Sequence, residues 1–131
     1  GLKPRGQLLL YEYVINPDAA DRPELAAWIE AQPYRPSLWT LRQYTDCLSS
    51  LGFEVRIAED TTATSRIHTI KGWDALLRRI DLRKLPRQHL LPVIDEAEQS
   101  MRTVAALECG ALKTYRLYAI ATIGGRVRTS G

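Results

Sequence analysis

Residues 2–14 read LKPRGQLLLYEYV, a polar turn at Lys3-Pro4-Arg5-Gly6 that runs at once into an apolar segment. Pro4 presets a turn conformation and Gly6 can take a positive φ, while Leu8 to Val14 is rich in Leu, Val and Tyr. Asn16-Pro17-Asp18 is a second turn signal, so a strand is predicted over 7–15. Its near-continuous apolarity predicts burial on both faces, as inside an α/β sheet, and therefore a neighbouring strand beside it.

Outward from this strand, Asp21-Arg22-Pro23-Glu24 reads as a helix start, with Asp21 as N-cap, Pro23 in the first turn and Glu24 completing a capping box. Leu25, Trp28 and Ile29 form its apolar stripe, and Pro33 and Pro36 end it. A second helix starts near Ser37 or Thr40, aligns Leu41, Tyr44, Leu48 and Leu51, and stops at Gly52. The run 53–59 alternates apolar and polar residues, which predicts a half-buried strand near a sheet edge, closed by Asp60-Thr61-Thr62.

From Thr64 to about Ile80, the spacing of Ile67, Ile70, Trp73, Leu77 and Ile80 predicts a helix that Gly72 weakens. The basic stretch 82–87 contains Pro86 and reads as a connection. A longer helix is expected from about Pro92 to Glu108, with Ile94, Ala97, Met101, Val104 and Ala105 inward and Gly110 as its stop. The segment 112–123, LKTYRLYAIATI, is apolar enough on both faces for a central strand. The expected architecture is a single α/β domain over 1–123, with a helical insert at about 64–110 and a frayed tail at 124–131.

Composition narrows the functional classes. A chain of 131 residues, 45% hydrophobic and 25% charged, has the material for one compact core. Its net charge of +3 comes from basic residues scattered along the chain, which argues against a nucleic-acid face, because such a face needs clustered charge. Cys47 and Cys109 share no metal-ligand spacing and read as reduced, buried thiols, which points to the cytoplasm. The apolar run after Lys3 and Arg5 is too short for a secretory signal, contains Glu12 and lacks a small-residue cleavage site, so neither a signal nor a membrane span is expected.

Taken together, LKPRGQLLLYEYV, the helix ending YTDCLSSLGFEVRIAEDTT and the terminal KTYRLYAIA resemble the C-terminal half of a class I S-adenosylmethionine-dependent methyltransferase of small-molecule type. In that family an L-K-P-G-G-x turn precedes the fifth strand. A helix ending L-x-x-x-G-F leads into the sixth, and a seventh strand inserts antiparallel between the two. Here the turn is Leu2-Lys3-Pro4-Arg5-Gly6-Gln7, with Arg5 in place of the first glycine, and the boundary is Gly52-Phe53-Glu54-Val55. The resemblance implies a three-stranded mixed sheet with the last strand central and antiparallel and about four helices around it. It equates this chain with the second half of a Rossmann-like fold.

The resemblance also implies a cofactor-binding half beside the strand at Leu8 to Val14. The family grips S-adenosylmethionine on a glycine-rich turn after its first strand, and this sequence has no glycine-rich turn between a strand and a helix. The cofactor is thus expected in a full-length parent and not on this chain alone, which would supply the acceptor side. The segment after the family's fifth strand and its helical insert often wall the acceptor pocket, which implicates Tyr11, Tyr13, Asn16, Trp39 and Trp73 in binding a small-molecule acceptor. His68 is the candidate general base for methyl transfer, since His89 sits beside the basic connection. A bland reading stands beside each: Trp28, Trp39 and Trp73 also suit core anchors, and a histidine between Ile67 and Ile70 suits a helix boundary. Glu59 and Asp60 are adjacent in a strand and point to opposite faces, so they do not converge on a metal. Asp95, Glu96 and Glu98 complement the start of the long helix.

The alternative expectation is a non-enzymatic interaction module. An edge strand without its neighbour offers unpaired backbone groups. Two copies are then expected to associate, through pairing at Leu8 to Val14 or through exposed apolar helix faces, unless the missing N-terminal half takes that place.

Overall fold

The computed structural model describes residues 6–33 and 38–122. The chain is α/β, with strands β1 (Gln7–Ile15), β2 (Phe53–Asp60) and β3 (Leu112–Ala121). Its helices are α1 (Pro23–Glu30), α2 (Leu41–Ser50), α3 (Thr62–Arg79) and α4 (Arg87–Glu108). The sheet order is β1-β3-β2, and β3 runs antiparallel to both neighbours, so the last strand is central as expected. Both ladders are antiparallel, which corrects the expectation of a mixed sheet: the strands that run parallel, β1 and β2, never touch. The turn at Leu2 to Arg5 and the tail from Gly124 lie outside the described residues.

Burial follows position in the sheet. In β3, Leu112 and Leu117 are fully buried on opposite faces, because a central strand is covered on both sides. β1 does not share this, contrary to the both-faces expectation. Leu8, Leu10 and Glu12 are half-buried and Val14 is buried, while Leu9, Tyr11 and Tyr13 are exposed. Register explains the split, since Leu9, Tyr11 and Tyr13 lie opposite Tyr118, Arg116 and Thr114 on one face. On that face, helices cover only the end at Thr114 and Leu112. In β2 the register slips between Val55 and Ile57, which turns Ile57 onto the same open face, 46% exposed.

The main core joins α1, α4 and the start of β3 through Leu25, Trp28, Ala106, Leu107, Ala111 and Leu112. Each large side chain removed from water here contributes about 1.5–3 kcal/mol. On the opposite face, Val14, Leu117 and Ala119 are buried, Leu48 of α2 is buried, and Tyr44 of α2 reaches Glu12.

Helix ends follow local chemistry, with three corrections. Asp21 does not cap α1: Arg22 holds the N-cap position without a side-chain bond and Pro23 opens the helix, its missing N–H costing nothing there. α4 begins at Arg87, so Pro92 lies inside the helix. The residues expected inward on α4 include Met101, which is 71% exposed, and Ile94, also exposed; the buried ones are Thr103, Ala106 and Leu107. Elsewhere, Thr40 and Gln43 close a reciprocal capping box on α2. Gly52 and Gly110, at φ 87° and 84°, end α2 and α4 in the left-handed region that side chains disfavour. Gly72 is tolerated within α3, which runs from Thr62.

Candidate functional site

The carboxyl end of β1, the start of β3 and the first turn of α3 converge. β3 enters there because Gly110 reverses the chain after α4, and Asn16 anchors the junction. The Asn16 side chain accepts from the Asp18 N–H at 3.1 Å and its Nδ2 donates to the Gly110 carbonyl at 2.9 Å. The N–H of Asn16 also donates to the carbonyl of Ala111. Both faces of its amide are therefore engaged in holding the backbone, a structural task rather than an open acceptor contact.

A small concavity of about 210 Å³ lies beside this junction, bordered by Tyr11, Tyr13, Thr61, Ser65 and Thr114. Thr114 is the hub of its polar wall. Its Oγ1 lies 2.8 Å from Thr61 Oγ1 and 2.9 Å from Ser65 Oγ, and its N–H donates to Thr62 Oγ1 at 3.1 Å. The network ties β3 to the first turn of α3 with short hydroxyl contacts. Tyr13 packs against Trp28 with ring centroids 5.4 Å apart, and burial pushes its phenol above the ordinary tyrosine value. Tyr11 is 65% exposed. The two rings thus offer one anchored and one open aromatic surface above a hydroxyl wall, an arrangement that can stack a planar group and hydrogen-bond its substituents.

A second concavity of about 400 Å³, on the other side of the β1 end, is bordered by Asn16, Thr40, Arg42, Lys113 and Tyr115. Trp39 flanks it in sequence. Its ring meets that of Tyr44 in a tilted contact with centroids 5.0 Å apart, and its carbonyl accepts the Ile15 N–H at 3.0 Å, continuing the β1 edge by one parallel bridge. Burial pushes the Tyr44 phenol up to about 12, and its hydrogen bond to Glu12 and that carboxylate's charge add to the rise. Burial raises Asp60, but hydrogen bonds from Thr62 and the charge of Lys113, 3.9 Å away, outweigh it, so its carboxyl sits below the ordinary value.

The other sequence candidates stand apart. Trp73 lies well along α3, in a groove against α4 lined by Ala97, Met101 and Val104. His68 is exposed on α3 and borders neither that groove nor the concavity of Tyr11 and Tyr13. Tyr11 and Tyr13 are the pair that the structure brings together. Thr61, Ser65, Thr114 and Lys113 complete the junction and were not singled out from sequence. The one local signal was Thr114, a hydroxyl near the buried Leu112 and Leu117 of the central strand.

Among the described residues, no three His, Cys, Asp or Glu side chains gather as metal ligands. No helix there is long and apolar enough to cross a membrane. Cys47 and Cys109 are free and half-buried. No family model matches the chain, and no curated protein matches it.

Proposed function

We propose that this chain is the acceptor-side portion of a class I S-adenosylmethionine-dependent methyltransferase acting on a small molecule. One observation carries the reading: β3 lies antiparallel between two mutually parallel strands, with the Gly52-Phe53 turn at the helix-to-strand boundary. That is the arrangement the family's last three strands have, and it accords with the sequence resemblance; the step from this path to an activity rests on analogy of fold.

The described residues do not fit the methyl donor. Both positive-φ glycines sit where a helix passes into a strand, whereas a sulfonium nucleoside held by backbone N–H groups needs glycine where a strand passes into a helix. The strand-to-helix turns here are Asn16-Pro17 after β1, where Asn16 accepts from the Asp18 N–H, and Thr61-Thr62 after β2, where Asp60 accepts from the Thr62 N–H. The residues of this chain are therefore assigned to the acceptor. Tyr13, fixed by Trp28, and Tyr11 stack a planar acceptor, and the Ser65 and Thr114 hydroxyls orient it, which supplies the alignment that methyl transfer chiefly requires.

The test is a binding comparison between this chain and the full product of its gene. Isothermal titration with S-adenosylmethionine is expected to give saturable binding to the full-length protein and none to residues 1–131. A gene with no strand-led glycine-rich segment ahead of these residues, or a full-length protein that does not bind the donor, ends this reading.

A further inference from the structure

We propose that the tip of the α3–α4 hairpin, residues 74–91, docks on an anionic lipid surface, with its basic side chains on the headgroups and its flanking leucines in the apolar boundary beneath them. The inference goes beyond the methyltransferase reading and uses none of the residues assigned to the acceptor.

The far half of the hairpin stands clear of the core. No residue from Thr62 to Arg102 is buried, and α4 gives side chains to the core only from Thr103 onward. At the far end α3 closes at Arg79, a short 3-10 helix at Leu82–Lys84 reverses the chain, and α4 opens at Arg87. This turn gathers charge. Residues 74–91 hold Arg78, Arg79, Arg83, Lys84 and Arg87 against two acids, Asp74 and Asp81. The other described residues carry eight Lys and Arg against thirteen Asp and Glu, so a positive tip stands on a negative body.

The chain does not absorb these cations. Arg78 pairs with Asp74 at 3.1 Å and Arg83 with Asp81 at 3.2 Å, both in water, where such pairs hold little energy. Among the described residues, Arg79, Lys84 and Arg87 meet no carboxylate at ion-pair distance. The next acids along α4, Asp95 and Glu96, border a separate concavity with Ala31 and Pro33 at the end of α1. Arg78 and Arg79 complement the carboxyl end of α3, but nothing local explains Lys84 and Arg87. The first turn of a helix favours acids; that of α4 has none and begins with Arg87. An anion from outside the chain relieves that repulsion.

The apolar neighbours select the kind of anion. Leu76 lies one turn before Arg79 and Leu91 one turn after Arg87, so each shares a helix face with a cation. Leu77 and Leu91 are 48% exposed and Leu76 is 37% exposed. Cations interleaved with leucines in water match a bilayer boundary, where phosphates lie above acyl chains. A face for single-stranded nucleic acid sets aromatic rings among its cations, and residues 74–91 contain no Trp, Tyr or Phe.

Co-sedimentation of the full chain with lipid vesicles reads the result. Vesicles of phosphatidylserine and phosphatidylcholine in equal parts are expected to pellet the chain, and vesicles of phosphatidylcholine alone to leave it in solution. Binding weakens as salt rises from about 0.1 M to about 1 M, because charges then act over about 3 Å instead of about 10 Å. Lys84→Ala combined with Arg87→Ala lowers partitioning about 30-fold, roughly fivefold per charge. Both side chains are exposed, so circular dichroism stays that of the parent. Leu91→Asn weakens binding without changing its salt dependence, and Arg56→Ala, on β2, changes neither. Equal pelleting with neutral vesicles overturns the proposal. So does a chain that stays in solution with anionic vesicles, including one that duplex DNA retains instead, and so does a doubly substituted tip that binds as tightly as the parent.

Discussion

The indole N–H of Trp28 on α1 donates to Thr103 Oγ1 on α4 across a buried 2.9 Å contact, joining residues 75 apart in the chain. Thr103 in turn donates its hydroxyl to the Gln99 carbonyl at 3.0 Å, so one hydroxyl fixes both its own helix and the tryptophan that carries α1. The same indole also packs against Tyr13, beside the concavity that Tyr11 and Thr114 border.

Replacing Thr103 by Val keeps the shape and removes the acceptor, leaving a buried indole N–H without a partner. Urea denaturation is expected to show a loss of about 1–3 kcal/mol. Trp28→Phe removes the donor and volume together, and the double variant loses less than the two single losses combined. Strict additivity would show that the bond contributes nothing.

Thr114→Val cuts the hydroxyl contacts to Thr61 and Ser65 while preserving the strand. A cost of about 1–2 kcal/mol is expected, with faster amide exchange confined to the first turns of α3. Thr114→Ser retains the hydroxyl and restores most of the protection. Unchanged exchange in Thr114→Val would mean that the network does not hold the helix.

Gly72 and Gly110 should respond to alanine with opposite signs. A Cβ at Gly72 meets nothing within 4 Å inside α3, so Gly72→Ala stabilises by about 0.5–1 kcal/mol. A Cβ at Gly110 also meets nothing, but its φ of +84° strains any side chain, so Gly110→Ala destabilises by about 1–2 kcal/mol. Thermal unfolding of the two variants separates backbone strain from crowding, because neither site is crowded.

Tyr44 makes stability depend on alkaline pH. Its folded pKa, about 12, lies above the unfolded value near 10, so the folded chain holds this proton more tightly. The contribution is fully present below the unfolded value and fades as pH rises toward the folded one. Tyr44→Phe is expected to flatten that part of the stability profile, and to cost about 0.5–1 kcal/mol at neutral pH through the lost bond to Glu12. A late tyrosinate absorbance step that persists in Tyr44→Phe would assign the high value to another of the six tyrosines.

Gly52, Gly110 and Pro23 were legible in the sequence because each acts on its own few residues of backbone, and Thr40 was one of two candidate starts for α2. The order of elements and the central place of the last strand were legible as well, since Leu112 to Ala121 is apolar on both faces and needs cover on both. The concavity at the end of β1 was legible only in part. Tyr11 and Tyr13 could be named, but Ser65 and Thr61 come within reach of Thr114 only when α3 folds back against β3, about 50 residues along the chain.

Spacing told which side chains share a face; only the tertiary structure decided whether that face is covered. Tyr11 and Val14 belong to one apolar run, yet Val14 lies buried and Tyr11 stands in water, because they point to opposite faces of the sheet and only Val14 lies on the face where helix cover reaches it. Met101 and Leu107 belong to one helix, yet Leu107 meets α1 and β3 while Met101 faces an open groove. The sequence by itself determined where the chain turns, which segments are helix or strand and which side chains are apolar. Burial, hydroxyl partners and the exposed seam of α3 and α4 required the tertiary structure, because each depends on residues distant in sequence.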